Sequence, residues 1–300
     1  MYKYYSIKNR KKNLTAIIIS VIMAIFFMFI SYFSAQTQKQ LLLMILSTLL
    51  VVVLAYYYLS YVPSKKWKDV LRKPFPELWK DILLKNVEFY VELASDEKEY
   101  FENRIQYFLK TKNITGIETE IDDKLKLLIA SSAIMPVFAF PEFEYNNINE
   151  ILIYPESFDE EYYSGQDKKI LGMVGNGAMN RMMILSKKDI LSSFNGKRTT
   201  DNVALHEFVH LIDKKDGIID GLPSILMNKA FVLPWMRELK KEISKIKDRK
   251  SDINPYGMTN NSEFLAVASE YFFMSPKRFK KEHPKLFKYF SKIYRNKRFK

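Results

Sequence analysis

Two apolar runs open the chain. Residues 14–34 and 41–62 carry no formal charge and flank a short polar turn at 35–40. Each run is about 20 residues, enough for a helix to cross roughly 30 Å of hydrocarbon. From Pro63 onward the pattern turns mixed, charged and aromatic, as in a globular domain. Apolar residues at three-and-four spacing predict helices over 75–91, 95–109 and 122–138, the last with Asp122 and Asp123 as cap candidates. Further helices are predicted over 200–212, 222–246 and 262–273, with a final basic aromatic helix beyond Pro284. Two short runs read instead as strands: 150–154, stopped by Pro155, and 182–185, stopped by Ser186. No repeat or low-complexity stretch interrupts the series, so the domain is expected to be α+β, mainly helical with a small sheet.

Charge orients this layout. Lys3, Lys8, Arg10, Lys11 and Lys12 precede the first apolar run, and Lys65, Lys66, Lys68, Arg72 and Lys73 follow the second. The turn between them holds only Lys39. The positive-inside rule then places both ends in the cytoplasm and makes the two runs a transmembrane helical hairpin of an inner membrane. A cleaved signal peptide is the rival for the first run, but that run is too long for an h-region and Phe33 would occupy the −3 position. The expected organisation is a basic cytoplasmic N-terminus at 1–13, a hairpin at 14–62, a basic juxtamembrane linker at 63–74 and a cytoplasmic catalytic domain at 75–290. A basic aromatic tail at 276–300 overlaps the end of that domain. The chain has 47 basic and 34 acidic residues, a formal charge of +13, which points to anionic surroundings. With no cysteine, disulfides, thiolate metal sites and cysteine nucleophiles are excluded, and any metal must be held by nitrogen and oxygen.

The candidate chemistry lies at His206-Glu207-Phe208-Val209-His210, an HExxH pattern that uses two of the three histidines in the chain. Residues four apart on a helix sit one turn above each other, so both imidazoles can reach one metal ion, with Glu207 beside them. Leu205, Phe208, Val209 and Ile212 form the opposite stripe and are expected to be buried. Thr199, Thr200 and Asp201 are cap candidates before this helix, and Asp216-Gly217 is a stop after it. His283 has no neighbour at ligand spacing and reads as a surface or structural residue.

Catalytic zinc normally takes three protein ligands and leaves a fourth position to water, so a carboxylate must join the two histidines. Glu263 and Glu270, seven apart and nearly superposed on one helix face, are the best source. One of them would bind the metal and the other would orient a ligand.

These motifs resemble the MtfA-type (Mlc titration factor A-like) zinc peptidases, which share a catalytic-domain pattern with the anthrax lethal factor protease. The resembling stretch runs from about 75 to about 290 and includes FPELWKDILLKNVEFY, EILIYPESF, MILSKKDILSSF, ALHEFVHLIDKKDG with the following DGLP, and NPYGMTNNSEFLAVASEYFF. The resemblance implies a zincin-like metallopeptidase domain with His206, His210 and Glu263 as zinc ligands and Glu207 as the catalytic base. It also implies that Tyr256, seven residues before Glu263, stabilises the transition state. Asp213 matches the HExxHxxD form of the pattern, and we assign it, with Glu270, to supporting the ligands. Zinc acts in such sites as a Lewis acid, while the base takes a proton from water and delivers it to the leaving amine. The hairpin departs from the soluble members of that family.

Two rival readings accompany this one. A protein of the same fold can keep its zinc and act by binding a regulatory partner, a reading prompted by that family's link to a transcription repressor. The tail from 276 to 300, with eleven basic residues and the single acid Glu282, suggests nucleic acid, but it has no recognisable nucleic-acid motif. Contact with anionic lipid, or plain solvation, explains it as well. The expected partners are therefore a peptide or protein substrate and the membrane.

Overall fold

The structure is a computed structural model that describes residues 2–34, 37–57, 72–156, 172–174, 181–195, 200–223, 226–227 and 229–295. The chain divides into two compact units, Met1–Pro74 and Phe75–Lys300.

The first unit contains helices α1 (Tyr2–Ser34) and α2 (Gln38–Tyr56), which pack on one another. Helix α1 starts well before residue 14, because the basic segment ahead of the apolar run contains neither glycine nor proline and its lysines and arginine are good helix formers. Thr37 caps α2 by accepting from the Gln40 N–H. Within α2 the Ser47 and Thr48 hydroxyls both donate to the Met44 carbonyl, so neither is left without a partner. Among the described helices only α2 is long and apolar enough to cross a membrane, while the apolar stretch of α1 is the shorter Ile17–Ile30. At 1.5 Å per residue that stretch rises only about 20 Å. The expected pair of spans is thus reduced to one helix that meets the criterion. The remainder of the second apolar run, 58–62, lies outside the described residues.

In the second unit the helices follow the apolar spacing, except that the one expected over 222–246 begins only at Lys229, Leu222, Pro223, Leu226 and Met227 being non-helical next to a proline that disfavours helix before it. They are α3 (Glu77–Asn86), α4 (Glu88–Val91), α5 (Ser95–Thr111) and α6 (Asp123–Ile134), the last capped by Asp122 and extended by a 3-10 turn at Met135–Val137. Helix α7 (Lys187–Ser193) follows the last strand, and α8 (Val203–Asp213) carries the HExxH pattern. Helices α9 (Lys229–Lys247), α10 (Asn261–Met274), α11 (Pro276–Glu282) and α12 (Pro284–Ile293) complete the set.

Among the described residues four strands make one sheet: β1 (Asn113–Gly116), β2 (Glu150–Tyr154), β3 (Gly172–Val174) and β4 (Met182–Ser186), in the order β1-β2-β4-β3. Strands β1, β2 and β4 run parallel, with Ile151 opposite Ile114 and Met183, and β3 lies antiparallel on β4. The parallel pairing of β1 with β2 needs a long crossover, and α6 lies within it. The sequence pattern anticipated β2 and β4. It missed β1, whose Asn-Ile-Thr-Gly has no apolar run, and the three-residue β3.

The expected stripe on α8 is buried: Leu205, Phe208, Val209 and Ile212 are at most 1% exposed. Helix α8 packs against α6, α7, α10, β3 and β4, and so runs through the middle of this unit. The basic aromatic tail is also part of the core, since Phe279, Phe287 and Phe290 are buried around Phe272 and Tyr294. Burying each such ring stabilises the domain by about 1.5–3 kcal/mol. The tail therefore presents lysines outward, including Lys277, Lys280, Lys285 and Lys288, while its aromatic face is committed to the interior.

Candidate metal centre

Helix α8 is fixed at its start by Asn202, not by Thr200 or Asp201 as the sequence suggested; Thr199 lies outside the described residues. The fully buried Asn202 side chain accepts from the Leu205 N–H at 2.9 Å and from the Ser132 hydroxyl at 3.1 Å. At its far end α8 passes into a 3-10 turn, Lys214–Asp216, closed by Gly217 with φ 98°, which bears out the expected Asp216-Gly217 stop. Helix α10 is capped by Asn260, whose side chain accepts from the Glu263 N–H at 2.9 Å.

These two caps set the helices so that three donor atoms converge. His206 Nε2 lies 2.9 Å from Glu263 Oε2, His210 Nε2 lies 3.3 Å from the same oxygen, and the two Nε2 atoms are 3.1 Å apart. Glu270, one heptad beyond Glu263, places Oε1 2.6 Å from His206 Nδ1 and accepts from the Asn202 N–H at 2.5 Å through Oε2. His210 Nδ1 lies 2.9 Å from the Ser262 hydroxyl, which donates to Asp213 Oδ2 at 2.9 Å. The Gly221 N–H donates to that same Asp213 oxygen.

The outer contacts fix what the inner nitrogens present. With Nδ1–H of His206 given to a carboxylate and Nδ1–H of His210 given to a hydroxyl whose proton is already spent on Asp213, each ring in its neutral form offers its lone pair at Nε2. Two lone pairs and a carboxylate oxygen within 3.3 Å of one another repel unless a cation or a proton stands between them. Zinc bonds of 2.0–2.1 Å in tetrahedral geometry put ligand atoms about 3.3 Å apart, close to this spacing. His206, His210 and Glu263 are accordingly a group that can hold a metal ion.

In the metal-free site a proton takes the place of that cation. Burial works against a charged His206, but Glu270 and Glu263 outweigh it and hold the imidazole well above its ordinary value. Burial also opposes charge on Glu263, yet its contacts with His206 and His210 bring the carboxyl down to about 2. Glu207 is 7% exposed, and burial pushes its carboxyl up despite the two histidines. Tyr256, in a 3-10 turn at Pro255–Met258, has its ring centroid 6.0 Å from that of His206 and is 54% exposed. Burial of its hydroxyl, together with Glu263 and Glu207, raises the phenol above its ordinary value.

Residues 62–295 match the model of the glucose-regulated metallo-peptidase M90 family. The chain belongs to this family. It therefore carries a metallopeptidase-type domain, and the family implies a divalent metal for the His-His-Glu group. Relatives of the M90 chain include an uncharacterized protein of Synechocystis sp., 26% identical over 76% of this chain and 86% of its own length. Mlc titration factor A of Salmonella arizonae is 28% identical over 73% of this chain and 90% of its own. Mlc titration factor A of Pectobacterium atrosepticum is 27% identical over 68% and 80%. These M90 relatives bear out the MtfA-type resemblance read from the motifs.

All seven site residues expected from the sequence, His206, Glu207, His210, Asp213, Tyr256, Glu263 and Glu270, fall in this one region. Three others were not expected: Ser262, Asn202 and Gly221. Ser262 and Gly221 lie in stretches that carry the resemblance, NPYGMTNNSEFLAVASEYFF and DGLP, while Asn202 has only its place four before His206. His283 is separate from the centre and buried, held between Asp252 and Glu242. Its structural reading is the one that fits, and the surface alternative falls.

Proposed function

We propose that this protein is a membrane-anchored zinc peptidase whose catalytic domain faces the cytoplasm. The observation that carries the reading is the convergence of His206 Nε2, His210 Nε2 and Glu263 Oε2, with Glu207 buried alongside. In this reading His206, His210 and Glu263 hold the ion, Glu270 orients His206, and Asp213 supports His210. Bound there, zinc supplies Lewis acidity, polarising a peptide carbonyl and acidifying water to a pKa of about 7. Glu207 takes the proton from the attacking water and passes it to the leaving amine. Its raised pKa brings acid and base forms closer to the working pH. Tyr256 keeps its proton and donates a hydrogen bond to the oxygen that becomes negative as the carbonyl is attacked.

The anchor rests on α2 and on the flanking charges. Leu43, Leu46, Leu49 and Leu50 of α2 are all more than half exposed, an apolar surface suited to lipid. The outward lysines of α11 and α12 suit anionic headgroups, by charge alone because their aromatic partners are buried.

Metal analysis tests the centre. Full-length protein purified in detergent should contain about one zinc per chain. His206→Ala and Glu263→Ala should lose it. Full zinc retention in His206→Ala would show the site to be wrongly assigned. Labelling of the 35–40 turn only from the cytoplasmic side would overturn the topology. A second reading draws on the name of two relatives, Mlc titration factor A, which hints at interaction with a regulator. Under it the same centre serves binding to a regulatory protein, and peptide hydrolysis is absent.

A further inference from the structure

The two histidines at the centre are held differently. His206 meets a carboxylate directly, whereas His210 meets a hydroxyl, Ser262, only 4% exposed and one residue from Glu263. We infer that Ser262 is a positioning residue, a one-proton relay that lets the buried Asp213 fix the tautomer of His210 and so sets zinc affinity. The inference rests on the zinc reading above.

Ser262 has one proton, and it goes to Asp213 Oδ2 at 2.9 Å. Its oxygen is then left only to accept, and the neighbour 2.9 Å away is His210 Nδ1. A neutral imidazole that donates from Nδ1 has its lone pair on Nε2, the atom aimed at Glu263 and His206. Were the hydroxyl free to turn, it could donate to Nδ1, put the ring proton on Nε2 and block the ligand position.

Asp213 is held in turn. It is fully buried on the last residue of α8, and its Oδ2 receives the Gly221 N–H at 2.9 Å. Gly221 reaches it because it lacks a side chain: a Cβ there would meet the Asn261 carbonyl oxygen at 2.5 Å, and φ is +77°. The Gly221 carbonyl is fastened on its other side by Trp235 Nε1 at 2.9 Å. The relay thus ties the end of the HExxH helix to the first turn of α10, where Glu263 sits. It couples two ligands through a single hydroxyl.

The test is zinc affinity by chelator competition on full-length wild type, Ser262→Ala and His210→Ala, at a temperature where all three are folded with zinc removed. Ser262→Ala should bind zinc about 10- to 100-fold more weakly than wild type, the usual effect of losing an outer partner of a metal ligand. Ring-nitrogen NMR of the zinc-free protein should show His210 protonated at Nδ1 in wild type and as a mixture of tautomers in Ser262→Ala. A merely structural serine would move neither the folded-state affinity nor the tautomer. Ser262→Ala with wild-type affinity, beside a His210→Ala that has lost zinc, overturns the relay alone. A His210→Ala that binds as tightly as wild type overturns the zinc reading and the relay with it.

Discussion

Two histidine clusters stand in the same domain, built from the same residue types and opposite in what they leave unfinished. Around His283 each charge faces an opposite one, although Glu242 Oε2, 3.5 Å from the imidazole, accepts no hydrogen bond. Nε2 faces Asp252 at 2.7 Å, Nδ1 faces Glu242 at 3.5 Å, Tyr271 and Arg278 both donate to Asp252, and Lys245 pairs with Glu242. Nearby, Lys285 pairs with Glu238. Around His206 and His210 the outer nitrogens are satisfied in the same way, but the inner ones point at each other and at Glu263. Acids and bases alternate in the first cluster and neutralise one another. In the second, three groups that can donate electron pairs share one point, an arrangement suited to a shared cation. Histidine among carboxylates is therefore no signature by itself; what separates structure from chemistry is whether the lone pairs are consumed.

The largest expected effect lies at the unfinished cluster. Glu207→Gln keeps shape and removes the base, and because Glu207 is not among the three converging groups, zinc should stay bound. Hydrolysis of a verified peptide substrate should fall by about two to four orders of magnitude. Wild-type turnover in this variant would remove Glu207 from the mechanism. If no substrate is found for either form while one partner protein binds both equally, the binding reading is the better one. The corresponding change in the finished cluster, His283→Ala, should leave zinc content and turnover as they were. It removes the cation facing the buried Glu242 carboxylate and one of three donors to the exposed Asp252, so chemical denaturation should report a loss of about 1–3 kcal/mol. A fall in zinc content would join the two clusters and break the contrast.

The contrast was only half legible in the chain. His206, Glu207 and His210 stand out because their spacing is local and one helix turn brings them together. The choice between Glu263 and Glu270 was not decided by spacing, since both sit on the same face, and it took the resemblance to separate ligand from support. The cap of α8 was obscured by four consecutive cap-forming residues, Thr199 to Asn202, of which only the burial of Asn202 against Ser132 and Glu270 selects one. His283 could not be paired at all: Asp252 and Glu242 lie 31 and 41 positions earlier, brought near by the packing of α9 and α10 with the tail. The parallel sheet was likewise hidden, because β1 finds β2 only across a crossover of more than thirty residues.

A smaller effect sharpens the same contrast in stability. Buried beside other carboxylates, Glu207 is a group the fold holds against its preference. With zinc chelated, Glu207→Gln should therefore stabilise the domain, by about 0.5–2 kcal/mol, as relief at functional sites commonly does. His283→Ala moves the other way. A Glu207→Gln variant less stable than wild type in chelator would show that its carboxylate is satisfied by a partner after all.

The smallest expected effect is a pH dependence that belongs to the finished cluster. Burial disfavours charge on His283, but Glu242 and Asp252 more than offset it and raise the imidazole above its ordinary 6.5. A pKa raised on folding means the folded state binds the proton more tightly than the unfolded chain. That stabilisation is complete below about pH 6.5 and is lost as pH rises through the folded value. The carboxylates have the opposite sign. Burial pushes both up, yet His283 and Lys245 bring Glu242 below its ordinary 4.5, and Tyr271, His283 and Arg278 bring Asp252 below 3.8. Their contribution is present above those values and is lost as pH falls through the lower folded ones. The cluster should thus stabilise most between about pH 4.5 and 6.5, with a limb just above that range due to His283, the raised Tyr271 phenol acting only above its ordinary 10.0. Subtracting the melting-temperature profile of His283→Gln from that of wild type, both with zinc chelated, isolates the limb from the histidines of the metal centre. The difference should shrink steadily as pH rises above 6.5. A difference that stays constant across that range would mean that His283 is neutral in the folded protein, leaving Asp252 to Arg278 and Tyr271 and Glu242 to Lys245.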